Sequence, residues 1–332
     1  MVLDPITGEE VHLPLKQSAD DDDVRGRRWW LLRRSEVPVD AVSGLVAGCA
    51  ATLIVHPLDL IKVRLQVDNS SRSHLGGIVH VVNDLRRSQN PLKEAYRGLV
   101  PNIFGNMVSW GAYFYWYEKI KIKAQEVTGR PVLGFTDYLV SAGLAGGITS
   151  LFTNPIWVVK TRMLSTNSQY TGAYTSMYEG LKRIRQEEGI KGFYRGFVPS
   201  LLGVGHGAVQ LMMYEEMKKW YLRGPAVSSS QLENSEPSDL STLQYITFSA
   251  TSKIGASLVM YPTQVIRSRL QRYDADNVYF SMRDVIFRTA KEEGILGFYK
   301  GLVPNLFRVV PATCVTFVVY EHCKAYLNSA EI

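Results

Sequence analysis

The chain has few cysteines and none of the common catalytic motifs. Its 3 cysteines, Cys49, Cys314 and Cys323, fit neither a disulfide framework nor the spacing of a metal site. A Walker loop, a Rossmann glycine run after a strand and a nucleophile elbow are also missing. We therefore predict a protein that is not an enzyme and that uses no metal and no cofactor.

The N-terminus lacks the apolar core of a secretory signal, and its aspartates at 20–23 are unlike an acid-poor transit peptide. Residues 1–37 carry more acidic than basic side chains, and we interpret them as a flexible, solvated arm. The positive charge of the chain, +6 in total, therefore comes from the rest of the sequence, which suits an anionic partner. Its bases lie at predicted helix ends rather than on one exposed face, so we expect no nucleic-acid binding.

Three motifs recur in one order and at nearly one interval, which indicates an internal repeat. They begin at Pro57, Pro155 and Pro262 (Pro-x-x-x-x-base-x-Arg), at Tyr96, Tyr194 and Tyr299 (Tyr-base-Gly), and at Tyr117, Tyr214 and Tyr320 (Tyr-Glu-x-x-Lys). The second interval is longer than the first because of a polar, serine-rich stretch. We predict repeats at 38–127, 134–222 and 242–327, with a loop insertion at 223–241.

Each repeat contains two stretches with almost no charge, and their lengths are close to what a transmembrane helix needs. Pairs of small residues, such as Gly44 with Gly48 and Ala142 with Gly146, let helices approach closely in lipid. Many of the bases lie between the paired stretches, as an orientation bias requires. Six buried helices in a soluble protein are the alternative. The six stretches are 41–55, 99–117, 138–159, 197–214, 242–261 and 302–320.

These motifs resemble those of the mitochondrial carrier family over nearly all of residues 38–327. The resemblance implies an all-α membrane protein with six transmembrane helices in three pseudo-symmetric repeats, a central solute site and alternating access. It also implies short amphipathic helices on the matrix side, which fit the amphipathic stretches 76–88, 174–187 and 279–292.

The chain departs from the family pattern in two places. Repeat 1 has Asn90-Pro91 where the other repeats have an acid followed by glycine, at Glu188 and Glu293. The acid expected two residues after each motif proline is present only as Asp59, and it is replaced by Trp157 and Gln264 in the later repeats.

The resemblance implies a matrix gate where the three proline motifs meet, and we name its candidate residues the proline-motif cluster. Asp59 is expected to pair with Lys160 as ions, and Gln264 to accept a hydrogen bond from Lys62. A cation–π contact between Trp157 and Arg267 would contribute about 0.5–2 kcal/mol. Solvated helix-end charges are the alternative. The cluster comprises Asp59, Lys62, Gln66, Trp157, Lys160, Gln264, Arg267 and Gln271.

A second gate, on the cytoplasmic side, is implied by the third motif, and we name its residues the Tyr-Glu cluster. Its three acids are expected to face its three bases and so to form a complete set of ion pairs. The cluster comprises Glu118, Lys121, Glu215, Lys218, Glu321 and Lys324.

Candidate solute-binding residues lie within the uncharged stretches. Lys253 is the most informative, because an intramembrane lysine is costly and usually faces a cavity. Snorkelling to an interface is the alternative for Lys253, and structural anchoring is equally compatible with Arg308. Polar and aromatic residues of the even-numbered helices complete the set, although each also fits ordinary packing: Asn106, Trp110, His206 and Gln210.

Cationic and aromatic candidates without a midplane acid favour an anionic solute that carries an aromatic ring. Pro155-Ile-Trp157 resembles the carriers of nucleotides and nucleotide-like cofactors, and the stretches 105–114 and 203–210 are most similar to the FAD and folate members. We predict transport of FAD or folate across the mitochondrial inner membrane, with NAD or pyrimidine nucleotides as the alternative and a proton-leak carrier as a further rival. The resemblance also implies a functional monomer, membrane lipid such as cardiolipin as a partner, and termini facing the intermembrane space.

Lys253→Ala tests the predicted role of this lysine in binding the anionic part of the solute. We expect uptake to be abolished and the melting temperature to stay near wild type, because a charge in the membrane stabilises nothing when no solute is bound. Uptake into liposomes and thermal unfolding measure the two effects. Strong destabilisation with transport retained would reverse the assignment.

Overall fold

All regular secondary structure in the described residues is helical. The structure is a computed structural model that describes residues 19–70, 74–130, 133–168, 172–222 and 242–330. The predicted loop insertion 223–241 lies outside this range. The predicted arm 1–37 is described only from Ala19, where the first helix begins, and its interpretation as an arm remains a prediction.

The helices follow the three repeats. Repeat 1 contains α1 (Ala19–Val67), α2 (His74–Arg87), α3 (Pro91–Ala95) and α4 (Leu99–Thr128). Repeat 2 contains α5 (Phe135–Ser165), α6 (Met177–Glu187), α7 (Gly189–Phe193), α8 (Phe197–Gly203) and α9 (His206–Leu222). Repeat 3 contains α10 (Thr242–Gln271), α11 (Ala275–Val278), α12 (Met282–Glu292), a 3₁₀ helix (Ile295–Tyr299), α13 (Leu302–Phe307) and α14 (Val309–Ala330).

The described residues fall into two compact units. One lies within Ala51–Cys314 and contains the proline motifs of all three repeats. The other lies within Met1–Ala50 and Val315–Ile332.

Four segments of the described chain are long and apolar enough to cross a membrane: Val42–Val67, Phe135–Ser165, Gly189–Tyr221 and Ile295–Ser329. The helices α4 and α10 have 30 residues each, so their length also suffices. Polar residues such as Asn102, Asn106 and Lys253 lower their hydropathy. A transmembrane helix that has one face towards water can carry such residues.

The helices that contain the proline motifs are longer than the stretches predicted from the sequence, which ended near the motifs. They continue past the prolines to Val67, Ser165 and Gln271. The added turns contain one buried apolar cluster in each repeat. The amphipathic helices α2, α6 and α12 pack on these clusters through Val81, Ile184 and Val285, which explains why a short amphipathic helix follows every proline motif.

The second helix of each repeat begins at the glycine of the Tyr-base-Gly motif. Gly98, Gly196 and Gly301 have φ values of 76°, 65° and 81°, which a residue with a Cβ adopts only under strain. A Cβ on Gly98 would also lie 2.3 Å from Leu164 Cδ1. The motif therefore needs glycine both for the turn and for close approach of the neighbouring repeat.

Two of the predicted long second helices are interrupted. In repeat 2 the break is at Val204 and Gly205, between α8 and α9. In repeat 3 it is at Arg308, between α13 and α14, where Pro311 has no N–H to donate to the preceding turn. Two candidate solute residues, His206 and Arg308, thus lie at helix breaks.

A buried ion pair joins the end of each proline-motif helix to the segment before the second helix. Its members are Arg64 with Glu94, Arg162 with Glu188, and Arg269 with Glu293. The base of the Tyr-base-Gly motif adds to the pair. Lys300 Nζ lies 2.7 Å from Glu293, and Arg195 Nε lies 2.9 Å from Glu188.

Repeat 1 follows the same plan with a displaced acid. Its missing acid-Gly pair at Asn90-Pro91 is replaced by Glu94, one helical turn later, whose side chain is 3% exposed.

The acid of the equivalent pair in repeat 2, Glu188, shows how the arginines act on a buried carboxylate. Burial alone would favour the neutral carboxyl and raise the pKa of Glu188. The hydrogen bonds and charges of Arg162 and Arg195 outweigh burial and hold that pKa below its ordinary value.

Glu94→Gln tests the displaced acid. We expect the free energy of unfolding to fall by about 3–5 kcal/mol, because Arg64 is left as an uncompensated buried charge. Denaturant or thermal unfolding of the purified protein measures the loss. Glu216→Gln is the matched control, because the Glu216–Lys219 pair is exposed and its loss should cost under about 1 kcal/mol. Equal effects of the two changes would contradict the role of Glu94.

Candidate functional site

The proline-motif cluster surrounds a cavity of about 220 Å³ within the unit Ala51–Cys314. All eight candidates predicted for the matrix gate line it, and so does Arg308. The three helices α1, α5 and α10 bring these side chains together because each motif occupies an equivalent turn.

The acid of the cluster has a different partner from the one predicted. Asp59 is 6% exposed and forms an ion pair with Arg308, not with Lys160. Arg308 reaches Asp59 because the break between α13 and α14 places it beside α1. Lys160 forms no ion pair in the part of the chain that the structure describes.

Gln264 and Lys62 lie as predicted. Lys62 Nζ donates to Gln264 Oε1 at 3.0 Å, across the boundary between repeats 1 and 3. The same ammonium group lies 5.8 Å from the ring centroid of Tyr261. A neutral amide thus occupies the place where the family pattern has a carboxylate.

Trp157 contacts two bases. Arg267 Cζ is 5.9 Å from the indole centroid, which agrees with the predicted cation–π contact. Lys160 Nζ is nearer, at 4.6 Å. The sequence had suggested an ionic partner for Lys160, whereas its nearest partner in the structure is the indole one turn earlier on the same helix.

Gln66 and Gln271, both 1% exposed, brace the cluster by equivalent contacts. Gln66 accepts from Ser268 Oγ at 2.7 Å, and Gln271 accepts from Thr161 Oγ1 at 3.0 Å. The third equivalent position is Leu164, so the brace between repeats 1 and 2 is apolar.

The sequence reasoning missed a buried polar group behind Asp59. Asn102 Nδ2 lies 3.4 Å from Asp59 Oδ2 and 3.2 Å from His56 Nδ1. His56 Nε2 in turn lies 2.9 Å from the carbonyl oxygen of Arg97. The sequence did contain a sign of this group, because a Pro-Asn pair follows the Tyr-base-Gly motif in two repeats and ends at Asn102 and Asn305.

The other predicted solute residues are less closely grouped. Asn106 donates to Asn102 at 3.4 Å and so connects to Asp59. Trp110 is exposed and stacks on Phe114 with centroids 5.7 Å apart. His206 Nε2 lies 3.4 Å from Ser257 Oγ.

Lys253 and Gln210 complete the predicted solute residues. Lys253 is exposed. Gln210 lines a separate cavity of about 410 Å³ together with Tyr214 and Ser252. Direct contacts do not join these two residues to the proline-motif cluster in the described part of the chain.

The Tyr-Glu cluster does not show the predicted set of ion pairs. Lys121 pairs with Glu118 of its own helix at 2.7 Å. In the other unit, Lys324 pairs with Asp40 at 2.8 Å rather than with a glutamate of the cluster, and Tyr320 OH donates to the same carboxylate at 2.8 Å. Among the described residues, no ion pair is formed by Glu215, Lys218 or Glu321.

Three helical repeats, proline motifs joined at a basic cavity and, among the described residues, four segments of membrane-spanning length define a membrane solute carrier. The sequence pattern of mitochondrial carrier proteins matches residues 33–127, 132–225 and 238–331. The chain belongs to the mitochondrial carrier family.

Named relatives cover most of the chain. The mitochondrial FAD carrier protein of Saccharomyces cerevisiae is 36% identical over 303 residues, with 86% of this chain and 96% of the relative covered. Folate transporter 1, chloroplastic, of Arabidopsis thaliana is 37% identical over 298 residues, with 87% and 95% covered. Nicotinamide adenine dinucleotide transporter 2, mitochondrial, of the same plant is 35% identical over 301 residues, with 86% and 78% covered. The resemblance to the FAD and folate branch is confirmed.

Gln264→Glu tests the energetics of the proline-motif cluster. The new carboxylate would lie within reach of Lys62 and should stabilise the protein by about 1 kcal/mol, because an ion pair replaces a neutral hydrogen bond. We expect a higher melting temperature and slower turnover in liposomes, since the cluster then opens less readily. Faster transport without stabilisation would contradict this interpretation.

Proposed function

We propose that the protein carries an anionic, ring-bearing cofactor, FAD or folate, across the mitochondrial inner membrane by alternating access. The charge balance of the cavity carries the proposal. Lys62, Lys160, Arg267 and Arg308 line it with Asp59 as the one acid. Such a surface attracts anions and disfavours cations.

The exposed indole of Trp110 offers a flat face, and stacking of a heteroaromatic ring on such a face is favourable. The relatives named as FAD and folate carriers support the choice of solute. NAD is the second candidate, because a relative of similar identity is named as its transporter.

The gate roles belong to the same proposal. The proline-motif cluster would close the matrix side, because contacts such as Lys62 to Gln264 and Gln271 to Thr161 join different repeats. The Tyr-Glu cluster would close the cytoplasmic side in the opposite conformation.

The solute would also contact the polar and aromatic residues of the helices above the cluster. Asn106 and Arg308 connect to Asp59 through side chains, and we propose them as the innermost contacts. Trp110, His206, Gln210 and Lys253 would act nearer the entrance. We further propose a functional monomer with termini in the intermembrane space and with lipid, including cardiolipin, bound around it.

Transport by the purified protein in liposomes tests the proposal. We expect saturable uptake of labelled FAD or folate, with weaker uptake of NAD and pyrimidine nucleotides. Empty liposomes and liposomes containing Gln264→Glu are the controls. Uptake of NAD alone would favour the second candidate, and proton flux without cofactor uptake would favour a proton-leak carrier.

Substitutions of Trp157 separate gating from solute stacking. We expect Trp157→Asp to keep part of the transport, because an ion pair with Lys160 or Arg267 replaces the cation–π contacts. Trp157→Phe should keep the ring and change affinity little, and Trp220→Phe is the control because Trp220 is 82% exposed. A selective loss of FAD or folate affinity in Trp157→Asp, equivalent to about 1–3 kcal/mol of stacking, would assign Trp157 to the solute instead. Competition assays measure this affinity.

A further inference from the structure

The cavity of the proline-motif cluster has an unbalanced charge. Of its four bases, only Arg308 has a carboxylate partner, and that partner is Asp59. The family pattern would supply two more acids, but Trp157 and Gln264 stand in their places. Three cationic side chains therefore lack an acid in this cavity.

The remaining partners of these three bases are neutral. Lys62 donates to the amide oxygen of Gln264 at 3.0 Å. Lys160 and Arg267 lie 4.6 Å and 5.9 Å from the centroid of one indole, that of Trp157. In the described part of the chain none of the three forms an ion pair.

Such an arrangement is costly without a counter-charge. All three side chains are only partly exposed and lie on helices of membrane-spanning length. Neutral partners compensate a desolvated charge only partly, whereas an anion would satisfy several cations at once. Arginine in particular binds phosphate or carboxylate oxygens with two parallel hydrogen bonds.

The space and the geometry fit an anionic group. The cavity holds about 220 Å³, several times the volume of roughly 30 Å³ that one water occupies in the liquid. Bases from α1, α5 and α10 line it, so one ligand would contact all three repeats. A ligand with two charged groups can replace both missing acids.

We propose that this cavity is a binding site for a pair of linked anionic groups, such as a pyrophosphate or a dicarboxylate, that takes the place of the two missing acids. The inference deepens the proposed function, on which it rests for the identity of the natural ligand. The anionic part of the solute then completes the cluster itself. Binding at this depth would join side chains of all three repeats.

Thermal unfolding of the purified protein with inorganic pyrophosphate tests the site without any transport step. We expect pyrophosphate to raise the melting temperature in a saturable manner, because a ligand of the folded state stabilises it by mass action. Glutarate supplies two carboxylates in a second arm, and so distinguishes a phosphate site from a carboxylate site. Sodium chloride at matched ionic strength controls for screening.

Two variants locate the effect. Gln264→Glu adds an acid inside the cavity, and Lys160→Gln removes a base from it. Each should raise the half-saturating concentration of the stabilising anion about tenfold or more, which corresponds to about 1.4 kcal/mol or more. Gln186→Glu is the matched control, since it adds the same charge on the exposed face of α6 and should leave the response unchanged.

The outcomes separate this inference from the proposed function. Stabilisation by pyrophosphate or glutarate that is weakened in both cavity variants and kept in Gln186→Glu supports the site. No stabilisation of wild type by either anion, or equal stabilisation of all variants, overturns it. Failure of FAD and folate uptake would overturn the proposed function while leaving a pyrophosphate response at this cavity intact.

Discussion

The buried ion pair after each proline motif is the interaction on which the arrangement of the repeats depends. It fixes the end of a long helix to the segment before the next one, and in two of the three pairs the arginine also reaches a neighbouring repeat. Arg64 donates to the carbonyl oxygen of Leu164 at 3.2 Å, and Arg269 donates to that of Gln66 at 3.0 Å. These two pairs thus act both within their own repeat and between repeats, whereas Arg162 bonds to Tyr174 and Glu188 of its own repeat.

These ion pairs hold three helix ends close enough to enclose a small cavity. The side chains that line this cavity differ between the three repeats. Gln66 and Gln271 make equivalent polar side-chain contacts at two boundaries, whereas the equivalent side chain at the third boundary, Leu164, is apolar. The one remaining acid, Asp59, is engaged by Arg308 from a broken helix. The result is a scaffold of threefold character whose centre has a surplus of positive charge.

That surplus connects the fold to transport. A carrier must hold its solute for long enough to change conformation and then release it, which requires interactions that differ between the two states. In the proposed gate, a cluster with a full set of acids would close on its own. With neutral groups in two acid positions it would close less firmly, and an anionic solute would supply the missing charge.

The sequence alone determined the repeats, the helical class, the eight residues of the proline-motif cluster and the branch of the family, because recurring motifs mark equivalent structural positions. It also predicted the contact between Lys62 and Gln264. In a threefold arrangement the base of one proline motif lies beside the acid position of a neighbouring motif, and Gln264 occupies that position. Predictions that treated the three repeats as equivalent were wrong where the repeats differ in sequence. Only the tertiary structure revealed that Glu94 replaces the absent acid of repeat 1. Glu94 lies one helical turn later in the sequence than the motif predicts, yet its side chain still reaches Arg64. Only the structure showed that Asp59 pairs with Arg308 and that Lys160 lies on Trp157. These partners depend on where a helix breaks and on which side chain is nearest, and spacing along the chain specifies neither.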